Sequence, residues 1–279
     1  MEAVKDLEEI KKIGNGYNAL NDEVRDGYAK EVRDAYVLDS NKVLLIMLVV
    51  DCSHSVSVNG KENVFNTILS DFTKEVRRDP EASANVKIAV SRYGTDFQVL
   101  SGFGSVYDYD ESSDIYVDLN LTDTAKALTE AFKITKDELE YQMGQGKKTI
   151  SPIILHITDG LQTSEKDEMC EMVSLFDSYH RKSGLRRIKL YSITQDKSAA
   201  NLVSVYSDST FLAEDYEGIA SAVTTMAKFS SSLSEMPLKI DPITGEEEPD
   251  FTDAPDLEID ESMTVLPRKR MKLEDIWNS

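Results

Sequence analysis

A chain of 279 residues, 41% hydrophobic and with a formal net charge of −20, is long enough for one sizeable core plus extra segments. The acidic balance excludes the basic surfaces that track phosphate backbones or anionic lipid, and it favours divalent metals and basic partners instead. Two cysteines, Cys52 and Cys170, are too few for a disulfide framework, and the N-terminal "MEAVKDLEEIKKIGNGY" lacks the apolar core of a secretory signal, so a reducing, cytoplasmic setting is expected.

Residues 1–40 place Leu, Ile, Val and Tyr at helical spacing among charges, which predicts a helical extension ahead of the main domain. The "GNGYNA" within it matches a loose dinucleotide fingerprint, but it follows a charged helix rather than a strand and is set aside, as is "GFGSVY" at 102–107. Residues 43–50, "VLLIMLVV", are an unbroken apolar run. It is too short to span a bilayer and has the Val, Ile and Leu content of a strand covered on both faces, so it is predicted to be the central parallel strand of an α/β sheet.

A helix is predicted over "NVFNTILSDFTKEVRRDP", stopped by Pro80, followed by the strands "VKIAVSRYG" and "TDFQVL". The acidic, tyrosine-rich "YDYDESSDIYVDLNL" reads as a loop, and helix resumes at "DTAKALTEAFKITKDELEY". The stretch "GQGKKTISPIILHITDG" is a basic loop and then a second buried strand that ends on Asp159. Helix "SEKDEMCEMVSLFDSYHRK", strand "RRIKLYSIT", a short helix near "AANLVSVY", strand "TFLA" and helix "YEGIASAVTTMAKFSSSL" follow. This alternation predicts a doubly wound, mostly parallel sheet over residues 41–233. Residues 234–279 are rich in Pro and acid and are expected to form a flexible tail with a terminal basic and apolar segment. Within it "PRKRMKL" has the look of a nuclear import signal but reads better as a solvated basic run, and the sequon "NLT" at Asn120–Thr122 is expected to go unused.

In such sheets ligands bind beyond the carboxyl ends of the strands. Three segments bring oxygen donors to that end: Asp51, Ser53 and Ser55 after the first strand, Thr122 at a helix entrance, and Asp159. All are hard donors, suited to Mg²⁺ or Mn²⁺. Blander roles are open to each: Ser53 and Ser55 can cap the next helix, and Asp159-Gly160 can be a turn. A hydrolase built on Cys52 requires His54 to converge on it as base.

The pattern D-x-S-x-S, then T, then D, carried by "DCSHS", by Thr122 in "LTDTAKAL" and by "TDG" at 158–160, resembles the metal-ion-dependent adhesion site of von Willebrand factor type A domains. The resemblance covers roughly residues 43–230. It implies that the Ser53 and Ser55 hydroxyls bind Mg²⁺ or Mn²⁺, that Thr122 can join them, and that Asp51 and Asp159 act mainly through bound water. A cation so held keeps much of its charge and accepts a carboxylate from a partner protein, which implies a non-enzymatic interaction domain. Two features depart from the family pattern: Asn120 and Leu121 replace a glycine pair, and His54 replaces a glycine. The stretch "DFTKEVRRDPEASANVKIAVSRYG" further resembles bacterial members associated with tellurium resistance, implying a protein kinase or phosphatase partner in a stress module. The alternative within the family is a scaffold of an ATPase or chelatase-like complex with a structural metal.

Overall fold

The structure, a computed structural model, describes residues 41–58, 60–109, 115–160, 163–180, 188–213, 216–235, 238–240, 247–249 and 263–269. The helices predicted over 1–40 and most of the predicted tail lie outside these residues.

The apolar run becomes β1 (Lys42–Asp51), with every residue after Lys42 buried. A strand points successive side chains to opposite faces, and β1 uses both. Leu44, Ile46, Leu48 and Val50 join one core cluster, while Val43, Leu45, Met47 and Val49 face the other side of the sheet. The first cluster is completed by α2 (Glu62–Arg77) and α7 (Tyr216–Glu235), the second chiefly by α4 (Thr124–Gly144), α5 (Lys166–His180) and α6 (Lys197–Tyr206). In α2 the buried residues Val64, Phe65, Ile68, Leu69, Phe72 and Val76 recur at helical spacing, so the amphipathic pattern alone dictates which face packs. Two short helices complete this layer, α1 (His54–Val58) and α3 (Pro80–Asn85).

On one side β1 pairs in parallel with β2 (Val86–Tyr93), which carries the antiparallel edge strand β3 (Phe97–Ser105). A two-residue strand, β4 (Lys148–Thr149), pairs with the start of β1. On the other side lie β5 (Ile153–Thr158), β6 (Lys189–Thr194) and β7 (Ser209–Ala213), all parallel. The chain order reverses between β1 and β5, so the carboxyl ends of these two strands flank the crevice in which doubly wound sheets hold their ligands. β8 (Leu238–Ile240) and β9 (Glu247–Pro249) pair antiparallel as a separate two-stranded sheet.

Two differences from expectation stand out. The predicted strand "TDFQVL" runs on to Ser105, with register shifts between Ile88 and Val90 and between Val90 and Ser91. Part of the predicted tail is also built into the domain: β10 (Met263–Pro267) pairs antiparallel with β7 as the sheet's edge strand. A five-residue strand amid acidic sequence has no periodicity of its own to announce it, since its order comes from the β7 ladder.

Candidate metal site at the sheet switch point

Four loops meet above the ends of β1 and β5, and backbone hydrogen bonds tie them together. The Cys52 amide donates to Tyr93 O (2.7 Å), the His54 amide to Asn120 O (2.9 Å) and the Leu119 amide to Cys52 O (2.9 Å). The Asp123 amide donates to Gly94 O (3.0 Å), and the Thr163 amide to Thr122 O (2.9 Å). The Thr122 amide returns a bond to Thr163 Oγ1 at 3.2 Å. Each segment carrying a predicted site residue is thereby fastened to another.

Asp51, at the last position of β1, is fully buried. Its Oδ1 accepts the Ser53 amide (2.9 Å), and its Oδ2 accepts the Thr158 hydroxyl (2.6 Å). Burial pushes its carboxyl up to about 6, against those hydrogen bonds, and the charge of Asp159 adds to the rise. Ser53 Oγ and Ser55 Oγ lie 3.0 Å apart, while Thr122 and Asp159 are both buried. At the start of α1 the Val56 amide donates to the Ser53 carbonyl (3.2 Å), while the Ser53 and Ser55 hydroxyls meet each other. The chain bends at Gly160, which has φ 91°, and a Cβ there would overlap Ala199, so glycine is required twice over.

The two departures from the family pattern are accommodated. Asn120 adopts φ 65°, the left-handed conformation that glycine takes freely and that asparagine tolerates better than other residues. His54 turns aside to Asp118 (Nδ1 to Oδ2, 2.6 Å), and that bond holds the Asp118 carboxyl below its usual range. Cys52 and His54 do not form a catalytic pair: the Cys52 thiol belongs to the core cluster with Leu48 and Val50, points to Ile115 O, and is pushed by burial up to about 12.

Several supporting residues went unread in the sequence. Thr158 holds Asp51 and also accepts the Gly160 amide (2.9 Å). Its place directly before Asp159 was the available signal. Asp123 caps α4, accepting the Lys126 amide (3.2 Å) and the Ser164 hydroxyl (3.2 Å), so it fixes where Thr122 sits. Below the site a buried chain runs from Thr124 through Tyr93 and His156 to Ser192 and Ser207. Burial pushes His156 down to about 3, so this chain is neutral.

The donor set fits a hard divalent cation. Asp51 and Asp159 are both buried here, the charge of Asp159 adds to the cost of ionising Asp51, and among the described residues no ion pair joins Asp51 to a cationic side chain. No cluster of three or more His, Cys, Asp or Glu exists among the described residues, so a soft or all-carboxylate site is not built here. The remaining donors are the hydroxyls of Ser53, Ser55 and Thr122, of the kind that leave Mg²⁺ or Mn²⁺ its waters.

No family model and no curated protein matches the sequence. Solved structures do. The pilus adhesin SpaC from Lactobacillus rhamnosus GG aligns with a TM-score of 0.53 at 10% identity, over 68% of this chain and 31% of its own. A D319A mutant of the PilB minor pilin from Streptococcus sanguinis aligns with a TM-score of 0.51 at 9% identity, over 70% of this chain and 64% of its own. The manganese-loaded TRAP protein of Plasmodium vivax aligns more loosely, with a TM-score of 0.36 at 16% identity over 56% of this chain and 58% of its own. This chain therefore spans about a third of the adhesin's length. The shared feature is the fold, a Rossmann-like, doubly wound and mostly parallel α/β sheet.

Proposed function

We propose that the chain is a non-enzymatic protein-interaction domain whose binding face depends on Mg²⁺ or Mn²⁺ held by Ser53, Ser55 and Thr122, with Asp51 and Asp159 acting through water. The observation that carries this reading is the pair of buried carboxylates at the switch point, with no cationic side chain among the described residues paired to Asp51. Bound there, a divalent cation would balance their charge and offer an open position to a carboxylate from another protein. The chain's own part is positional. Thr158 and the Ser53 amide orient Asp51, the capped start of α4 orients Thr122, and the Gly160 turn orients Asp159. With Cys52 buried and protonated and His54 tied to Asp118, no nucleophile and base are paired there, which supports binding rather than turnover.

The proposal keeps the cytoplasmic setting suggested by cysteine usage. Among the described residues no helix is long and apolar enough to cross a membrane. A protein kinase or phosphatase presenting a surface Asp or Glu is the first partner to try. The deciding experiment is calorimetric titration of the full chain with MgCl₂ and MnCl₂, in the wild type and in Asp51→Ala. Saturable binding that disappears in the variant supports the site, and equal heats from both proteins reject it.

A further inference from the structure

The edge of the sheet holds a second constructed feature, separate from the metal face. Residues of α5, α6 and β7 form a cradle around the segment Met263–Lys269. Five residues of β10 pair with β7, from Met263 opposite Ala213 to Pro267 opposite Ser209. Val265 packs against the main core cluster. Arg268 then makes a forked ion pair with Asp177 (Nη1 to Oδ1, 2.9 Å; Nη2 to Oδ2, 3.2 Å), and its Nε donates to Val205 O (3.2 Å). The Arg268 amide donates to Asp208 O (3.2 Å), the Lys269 amide to Ser204 O (2.8 Å), and Lys269 Nζ reaches Asn201 Oδ1.

The chemistry is that of a receptor for a linear motif. A β-strand is added to a sheet edge through main-chain bonds, one apolar side chain is read by a half-buried contact, and a cation is read twice. The carbonyls that Arg268 and Lys269 meet belong to the last turns of α6, where the helix dipole favours positive charge. The planar guanidinium matches the Asp177 carboxylate in a way that a lysine would not. Met263–Lys269 therefore meets a surface complementary to it in shape, register and charge.

Thr264 and Pro267 are exposed, and Val265 and Leu266 are half-buried, so the segment is held mainly by main-chain and ionic bonds, which a second copy can offer equally. The thirteen residues from 250 to 262 that lead into it can span up to roughly 40 Å. That length is enough to carry the segment to a neighbouring molecule.

We propose that this cradle is an exchangeable strand receptor whose second occupant is the Met263–Lys269 segment of another copy of the chain, so that two copies pair by trading β10. Exchange adds no new interface chemistry, because each copy makes in trans the contacts it made in cis, and such swaps are a low-cost route to dimers. A tether of this kind gives the cis strand an effective concentration in the millimolar range, so the monomer dominates in dilute solution and pairing grows with concentration. A pair formed this way carries two metal faces. The inference does not depend on the metal reading and can fail or hold without it.

Complementary charge variants of the full chain test it. Asp177→Arg and Arg268→Asp each set like charges against one another within a chain, and either alone stays monomeric near 31.3 kDa in light scattering. Mixed in equal amounts, each tail meets an opposite charge only in the other protein, and a species of twice the mass forms. The chain carrying both substitutions closes on itself again and is monomeric. A mixture that stays monomeric, with both proteins folded by circular dichroism, overturns the proposal. Should either variant fail to fold, the wild type serves: at ~1 mM it must show a dimer that an excess of the synthetic peptide of residues 262–270 dissolves. No dimer, or a dimer indifferent to that peptide, overturns the proposal equally.

Discussion

Two polar regions are buried side by side in this molecule, and they are built on opposite principles. The chain from Thr124 through Tyr93, His156 and Ser192 to Ser207 contains only groups that both give and accept hydrogen bonds, with links of 3.4, 2.7, 3.3 and 2.5 Å. It is electrically neutral because burial keeps His156 unprotonated. The cluster above it, reached through Thr158 two residues further along β5, contains two buried carboxylates, of which Asp51 is held by one hydroxyl and one amide donor. A buried neutral network can satisfy itself, whereas buried like charges need a partner from outside. That contrast is why the binding face proposed above is placed at the upper cluster and not at the lower one.

The contrast breaks most visibly at Asp51. Asp51→Ala is expected to remove Mg²⁺ binding, a loss of at least a hundredfold in affinity by calorimetry, while His156→Asn leaves Mg²⁺ affinity within about threefold. If both substitutions weaken binding equally, the two regions form one unit.

The next largest effect belongs to stability. His156→Leu strips the partners from Tyr93 and Ser192 inside the core and should cost about 2–4 kcal/mol in urea unfolding. Mg²⁺ should still raise the melting temperature of the folded variant.

The pH dependence of stability sharpens the comparison, because the two regions oppose one another. Below its ordinary value of 6.5, His156 takes a proton in the unfolded chain that the native state refuses until about pH 3. Its contribution is therefore complete above pH 6.5 and is lost as pH falls towards 3. Metal-free Asp51 runs the other way, since between 3.8 and about 6 the native carboxyl keeps a proton that the unfolded chain has released. Its contribution is present below 3.8 and is lost as pH rises through about 6. Each slope approaches about 1.4 kcal/mol per pH unit. Metal-free wild type should thus vary little between pH 4 and 6, Asp51→Asn should gain stability as pH rises, and adding His156→Asn should flatten it again. Urea midpoints at pH 4.5, 5.5 and 6.5 read this directly.

The smallest effect is expected at the loop that departs from the glycine pattern. Asn120→Gly should leave stability within about 0.5 kcal/mol, whereas Asn120→Val, which resists φ 65°, should cost about 1–2 kcal/mol.

Much of the architecture was legible because it rests on local patterns. The unbroken run at 43–50 reads as a strand covered on both faces, and α2 announces its buried side at every third or fourth residue. The spacing D-x-S-x-S likewise shows that Asp51, Ser53 and Ser55 leave the same strand end together, and the turn residue Gly160 marks the loop after β5. These are properties of neighbours in the chain, set by the periods of helix and strand and by glycine's freedom at positive φ.

What only the tertiary structure decided are the relations between residues far apart in sequence. Nothing near His156 says that Tyr93, 63 positions earlier, will accept it in the core, and nothing near Asp51 says that Thr158, 107 positions later, will hold it. The same holds for β10, whose seat on β7 and whose Arg268 fork to Asp177, 91 positions away, emerge only once the sheet exists. The physical reason is one of partners: a periodicity is written in a single segment, but a hydrogen bond or an ion pair needs a second group that folding alone brings into range.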